Sequence, residues 1–321
     1  MPLHPNTDPE LAVGLSRAFV PPVDFARLSP DELPELRRRM ATGFTSAPRP
    51  AGAVTVEDHR VPGPDGAPEI RVRVYRPRGR GGALPCLYWM HGGGMVLGLL
   101  EMEDARLSAI AGETGCVAVS VEYRLAPEHP HPAPVEDCYA GLVWTAKNAG
   151  DLGVDPGRVA VGGSSAGGGL AAAIALLARD RGTPAVAFQL LLSPMLDDRG
   201  TTPSSRAFED AVMWNRAANT FGWRALLGEA AGGAQVSPYA APARAEDLSG
   251  LPPAYLDVGE LEIFRDECLG YAARLVQAGV STELHLYPGA FHGFDALVPG
   301  AELSRAAAAR RLAALRRAFA R

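Results

Sequence analysis

The sequence has only four cysteines, Cys86, Cys116, Cys138 and Cys268, and they are scattered along the chain. None stands in a CxxC or CxxH spacing, which argues against a zinc site and against a disulfide framework. Three of them lie in apolar segments and are expected as buried free thiols. No apolar run is long enough to span a bilayer; the longest, Leu170 to Ala178, is short and follows a glycine cluster. Met1-Pro2-Leu3-His4 has neither the basic nor the apolar region of a secretion signal. Together these absences predict a cytoplasmic protein. A large excess of one charge is missing too. The formal net charge is −5 and no Lys/Arg stripe stands out, which argues against nucleic acid or an anionic membrane as partner. Arg305, Arg310, Arg311, Arg316 and Arg317 fall on an Ala-rich helical pattern and are expected on its solvated face.

What is present suits a globular chain that can bury a full core, with 47% hydrophobic and 21% charged residues. At 321 residues it has room for one large α/β domain with an added cap, or for two ordinary domains. Residues 1 to about 50 look helical, with Pro21-Pro22 and Pro34 as breaks and a short helix beginning at Asp31-Glu32-Leu33-Pro34-Glu35-Leu36. Val54-Thr55-Val56 and Ile70-Arg71-Val72-Arg73-Val74-Tyr75 alternate like half-exposed strands around the turn Pro62-Gly63-Pro64-Asp65-Gly66. Continuous apolar runs follow at Cys86 to Met90, Cys116 to Val121, Arg158 to Val161, Phe188 to Leu192 and Ala254 to Val258, with a weaker one at Leu284 to Tyr287. Such runs mark strands buried on both faces. Helical stretches alternate with them, at Ala105 to Glu113, Val135 to Ala149, Ala166 to Arg179 and Asp266 to Ala278. The alternation predicts an α/β fold with a mainly parallel sheet flanked by helices. Leu196 to Leu251 interrupts the rhythm and reads as an insertion. We therefore expect a catalytic domain over residues 51–321, an insertion around 196–251, and an N-terminal segment 1–50 that joins it in a helical cap over one end of the sheet.

Gly163-Ser164-Ser165-Ala166-Gly167 follows the strand Arg158 to Val161 and precedes the helical run from Leu170. That is the strand–turn–helix setting of a nucleophile elbow, in which small residues must flank a serine on a very tight turn. A phosphate loop would carry GxxxxGK[ST], and no lysine is present here; a dinucleotide fingerprint would follow the first strand. The second signal is His91-Gly92-Gly93-Gly94-Met95, directly after Cys86 to Met90. Consecutive glycines let backbone amides turn into a cavity, where they stabilise an oxyanion. The donors are assigned to Gly93, Gly94 and Ala166, the last being the residue after the nucleophile.

A serine nucleophile needs a base. His292, in Gly289-Ala290-Phe291-His292-Gly293-Phe294, lies just beyond the last strand, where a hydrolase of this architecture delivers its histidine. His285 alternates within that strand and reads as structural; His129 and His131 form a pair with no third metal ligand nearby; His91 is placed to orient the glycine loop. No metal site is expected. The acid that holds the imidazole should lie just past Ala254 to Val258. Asp257 is still inside the strand, and Asp266 and Glu267 suit the first turn of the next helix. Glu260 and Glu262 both lie in the loop, and local chemistry does not choose between them.

Taken in order, His91-Gly92-Gly93-Gly94, Tyr123-Arg124-Leu125-Ala126-Pro127-Glu128, Gly163-Ser164-Ser165-Ala166-Gly167-Gly168, Pro194-Met195-Leu196-Asp197 and Phe291-His292-Gly293-Phe294 resemble the hormone-sensitive lipase family of α/β-hydrolases, from about Val54 to the C-terminus. The resemblance implies an α/β-hydrolase fold and a carboxylic ester hydrolase acting on short to medium acyl chains. It also implies a small-molecule ester as partner, no cofactor, a mostly helical cap, and a homodimer as in many bacterial members. The chain departs from the family pattern at Ser164, where Asp or Thr is usual, and in Glu262-Ile263-Phe264-Arg265-Asp266-Glu267, where the family segment begins with Asp. That alignment places the acid on Glu262. Met95, Leu97, Met213 and Trp214, with Phe221 and Trp223, are candidates to line an apolar acyl site, although ordinary cap packing explains them equally well. The same triad serves lactonases, amidases and deacetylases. The family is also similar to plant gibberellin receptors that lack the histidine, so a ligand-binding protein is the alternative from another class.

Overall fold

The computed structural model describes residues 3–17, 23–45, 52, 54–209 and 211–320. Eight strands form one sheet in the order β1-β2-β4-β3-β5-β6-β7-β8. They are β1 (Val54–Val61), β2 (Ile70–Pro77), β3 (Leu84–Met90), β4 (Val117–Glu122), β5 (Val154–Ser164), β6 (Phe188–Leu192), β7 (Ala254–Leu261) and β8 (Thr282–Phe291). β1 and β2 are an antiparallel hairpin, β2 joins β4 antiparallel, and every later pairing is parallel. The parallel strands are apolar on both faces for a geometric reason. Successive side chains point to opposite sides of a strand, so Cys86, Tyr88 and Met90 enter one core and Leu87 and Trp89 the other. The weak run at Leu284 to Tyr287 is part of a longer edge strand, with Leu284 and Leu286 partly exposed because only β7 flanks it. All four cysteines are buried and free.

The helices are α1 (Pro9–Arg17), α2 (Leu33–Thr45), α3 (Asp104–Thr114), α4 (Ala133–Lys147), α5 (Ala149–Leu152), α6 (Ala166–Arg181), α7 (Pro203–Ala207), α8 (Arg216–Leu227), α9 (Arg265–Gln277), α10 (Phe294–Leu297) and α11 (Glu302–Phe319). α6 carries small and aliphatic residues all round, so every residue from Ala166 to Ala178 is buried. Among the described residues, no helix is long and apolar enough to cross a membrane.

Two expectations need correction. Pro34 does not break a helix; it lies in the first turn of α2, where its missing N–H has no intrahelical partner to lose. The other expected break, Pro21-Pro22, lies outside the described residues. Arg311 is not on a solvated face. It shares the inward stripe of α11 with Ser304, Ala307, Ala314 and Leu315, and its buried guanidinium pairs with Asp257 and Asp295. An arginine on an apolar stripe is tolerated when buried carboxylates meet it.

The N-terminal helices lie near the carboxyl end of the sheet. Leu11 of α1 packs with Phe291 and Phe294. Arg37 of α2 donates to the carbonyls of Val96 (2.8 Å) and Ala126 (2.7 Å). Among the described residues, the stretch between β6 and β7 contains α7, α8 and short 3₁₀ turns but no strand.

Candidate active site

The carboxyl ends of neighbouring parallel strands are where open α/β sheets present their loops to a ligand. β5 ends at Ser164 and α6 begins at Ala166, which leaves Ser165 alone on the turn, with φ 57° and ψ −121°. That is a strained backbone for a residue with a Cβ. It is held by three backbone hydrogen bonds: the Ser165 amide donates to Leu192 O (2.8 Å), and its carbonyl accepts from Gly169 N and Met195 N (both 3.0 Å). The flanking glycines are obligatory. A Cβ on Gly163 would stand 2.2 Å from Gly167 O, and one on Gly167 would stand 2.1 Å from Met90 O.

The Ser165 hydroxyl lies 3.0 Å from His292 Nε2. His292 follows β8 on the segment leading into α10, with its ring edge-on to Phe264. Its Nδ1 is hydrogen-bonded to Glu262 Oε2. A carboxylate can only accept, so Nδ1 carries the proton and Nε2 is left to accept from the serine. Glu262 is fully buried in the turn after β7, and its other oxygen accepts from Ser193 Oγ and from Gly259 N, both at 2.8 Å. The competing acids are engaged elsewhere. Glu260 accepts from Gly289 N (2.8 Å), and Asp257 is bound by Arg311 and Tyr255. Asp266 and Glu267 satisfy the amides of Ser204 and Leu196.

The glycine loop reaches the same place. A Cβ on Gly92 would lie 3.4 Å from Ser165 Cβ, so the loop abuts the serine. Gly93 (φ 124°), Gly94 (φ 62°) and Met95 (φ 68°) are all left-handed. Among the described residues, the amides of Gly93 and Gly94 have no backbone acceptor. Ala166 opens α6, where amides have no intrahelical partner. His91 is fully buried, stacks on Tyr123 with centroids 4.2 Å apart, and places Nδ1 2.8 Å from Gly92 O. Burial pushes its pKa down to about 4 even though the Gly92 carbonyl favours the charged form. His91 is thus a neutral donor to the loop at neutral pH.

A family model for the α/β-hydrolase fold matches residues 87–296. The chain belongs to that family. It is 39% identical to the carboxylesterase NlhH of Mycobacterium tuberculosis over 98% of this chain and 97% of the relative. Among solved structures it is similar to a bacterial heroin esterase, with 46% identity, a TM-score of 0.91 and 98% of both chains covered. It is also similar to an esterase of Pyrobaculum calidifontis, with 37% identity, a TM-score of 0.85, and 97% of this chain and 98% of the other covered. It is a hydrolase of the carboxylesterase type.

Of the apolar candidates from the rest of the chain, Trp214 lies against the glycine loop. A Cβ on Gly94 would stand 1.9 Å from its ring. The Trp214 ring meets Phe25 edge-on at 5.2 Å, and Phe25 in turn contacts Phe221. Met95 and Leu97 are buried in the same cluster, Trp223 is buried within it, and Met213 is about half exposed. Beyond the rings lies a cleft of about 770 Å³ between residues 25–30 and α8, lined by Phe25, Leu28, Arg216, Thr220, Phe221 and Arg224.

Two polar neighbours of the site carry little signal in the sequence. Ser193, with φ 42°, anchors Glu262 from the end of β6; its only signal was a hydroxyl residue directly after a buried strand. Glu103 is buried beside Ser164, and nothing but an acidic cluster marked it.

If the Gly94 amide is an oxyanion donor, Gly94→Ala is expected to lower kcat by about 10²-fold, because its Cβ cannot coexist with Trp214 in the present backbone and the amide must move. Steady-state kinetics on p-nitrophenyl butyrate measures this. A variant with wild-type kcat would remove the loop from the chemistry.

Proposed function

We propose that Ser165, His292 and Glu262 are the catalytic triad of a serine carboxylesterase, with the amides of Gly93, Gly94 and Ala166 as its oxyanion hole. The observation that carries this reading is the unbroken hydrogen-bonded line from Glu262 through His292 to the Ser165 hydroxyl. Ser165 Oγ attacks the ester carbonyl carbon while His292 Nε2 takes its proton. The carbonyl oxygen becomes an oxyanion held by the loop and helix amides, with the α6 N-terminus adding favourable partial charge. His292 returns the proton to the leaving alkoxide, and the C–O bond breaks to give an acyl-enzyme and an alcohol. Water then attacks by the reverse roles, releasing the acid.

The substrate class that fits best is a carboxylic ester of short to medium acyl length. Support comes from Trp214 against Gly94, backed by Phe25, Met95 and Leu97, which limits the room next to the serine. A p-nitrophenyl series from acetate to palmitate tests the class, and a fluorophosphonate probe tests the nucleophile. The expected result is a maximum among the shorter esters and stoichiometric labelling mapped to Ser165. A chain that binds esters without turnover and takes no label would be a binding protein. One that labels but turns over only lactones or amides would keep the triad and lose the substrate class.

A further inference from the structure

Beneath the proposed triad runs a chain of charges that the reaction as described does not use. Ser164, next to Ser165, donates its hydroxyl to Glu103 Oε1 at 3.3 Å. Glu103 is only 4% exposed, and among the described residues its other oxygen accepts no hydrogen bond. Burial raises its carboxyl above the ordinary value, opposed by the nearby Arg106. The Arg106 Nε lies 3.4 Å from Glu103, and another nitrogen of the same guanidinium lies 3.4 Å from Asp295. Asp295 is in α10, just past His292. Although burial pulls the other way, the charges of Arg311 and Arg106 hold its carboxyl well below the usual range. Arg311 then bonds Asp257, in the strand that leads to Glu262.

We propose that Arg106 is a positioning residue: by meeting Glu103 and Asp295 together, it holds the Ser165 turn and the His292 segment in register. This rests on the reading of Ser165 and His292 as nucleophile and base. A planar guanidinium can address two carboxylates at once, which an ammonium cannot do equally well. The payload is geometric: misplacing a reacting group by about 1 Å can cost about 10²-fold in rate. Glu103 and Asp295 are largely buried beside Arg106, so its loss is expected to lower the melting temperature as well as loosen the two segments, and the kinetic loss per titrated site is what separates positioning from stability.

The test measures kcat per active site titrated with a fluorophosphonate, using p-nitrophenyl butyrate, for Arg106→Gln, Asp295→Asn and the double variant. Each single change is expected to lower kcat by about tenfold with KM altered less than about twofold, the pattern of a lost transition-state alignment. The double variant should fall no more than about twofold below the more impaired single one, because the Arg106–Asp295 link is already cut in each. Arg106→Lys should recover only part of the loss. If Asp295→Asn does not fold, Glu103→Gln takes its place in the cycle. A kcat within about twofold of wild type in Arg106→Gln, with only the melting temperature lowered, or fully multiplicative losses, overturns the proposal. A wild-type enzyme that does not label at Ser165 overturns the triad reading and this proposal with it; labelling with unchanged variant kcat overturns the link alone.

Discussion

Ser165→Ala is expected to lower ester turnover by about 10⁴-fold or more, down to what binding and the oxyanion amides can supply without a nucleophile. The same change should barely disturb folding. The serine side chain makes one hydrogen bond, to His292, while the bonds that fix the turn come from its backbone amide and carbonyl. Alanine and serine both carry a Cβ, so the strain at φ 57° is common to the two. Ser165→Gly makes the contrast sharper. It removes the same hydroxyl and relieves the strain, since glycine takes positive φ without cost. The glycine variant should therefore be as inactive as the alanine variant while melting at the same or a higher temperature. Kinetics on p-nitrophenyl butyrate and thermal melts followed by circular dichroism read both quantities. If Ser165→Ala kept more than about a hundredth of the wild-type kcat, another group would be attacking the ester, and the triad would have to be rebuilt around it.

The sequence exposed those parts of the site whose chemistry demands rare residues at fixed spacing. A serine between glycines after a buried strand, and three glycines after another, are legible because the backbone conformations they permit exclude almost any other residue. Strand positions were legible for a similar reason, since burial on both faces leaves continuous apolar runs. What escaped was everything fixed only by the tertiary fold. Ser193 and Glu262 are far apart in the chain and meet because β6 and β7 are neighbours. Arg311 looked like one more arginine on an alanine-rich helix, and its inward direction follows from which stripe of α11 faces Asp257 and Asp295. Glu103, Arg106 and Asp295 belong to separate segments that only the folded chain brings together. Local patterns name a residue's conformational needs; they do not name its partner.

The acid is where that distinction has the largest experimental consequence. Glu260 and Glu262 are equivalent by local chemistry, and the structure gives them different tasks: Glu260 braces the Gly289 amide, and Glu262 meets His292. Glu262→Gln is expected to lower kcat by about 10³- to 10⁴-fold. An amide can offer its NH₂ to Nδ1, which would hold the ring in the wrong tautomer, with Nε2 protonated and unable to accept from Ser165. It also removes the charge that stabilises the imidazolium formed during attack. Fold stability should fall less than activity, because the glutamine oxygen can still accept from Ser193 and Gly259. Glu260→Gln keeps an acceptor for Gly289 and should change kcat by less than about threefold, as expected for a residue outside the reacting line. Asp257→Asn should act chiefly on stability, leaving buried Arg311 short of a countercharge at a cost of about 3–5 kcal/mol. Ranked by loss of kcat, Glu262→Gln is thus far more damaging than Glu260→Gln; ranked by loss of melting temperature, Asp257→Asn is far more damaging than either. A Glu260→Gln variant that lost more activity than Glu262→Gln would move the acid to Glu260 and require His292 to turn toward it.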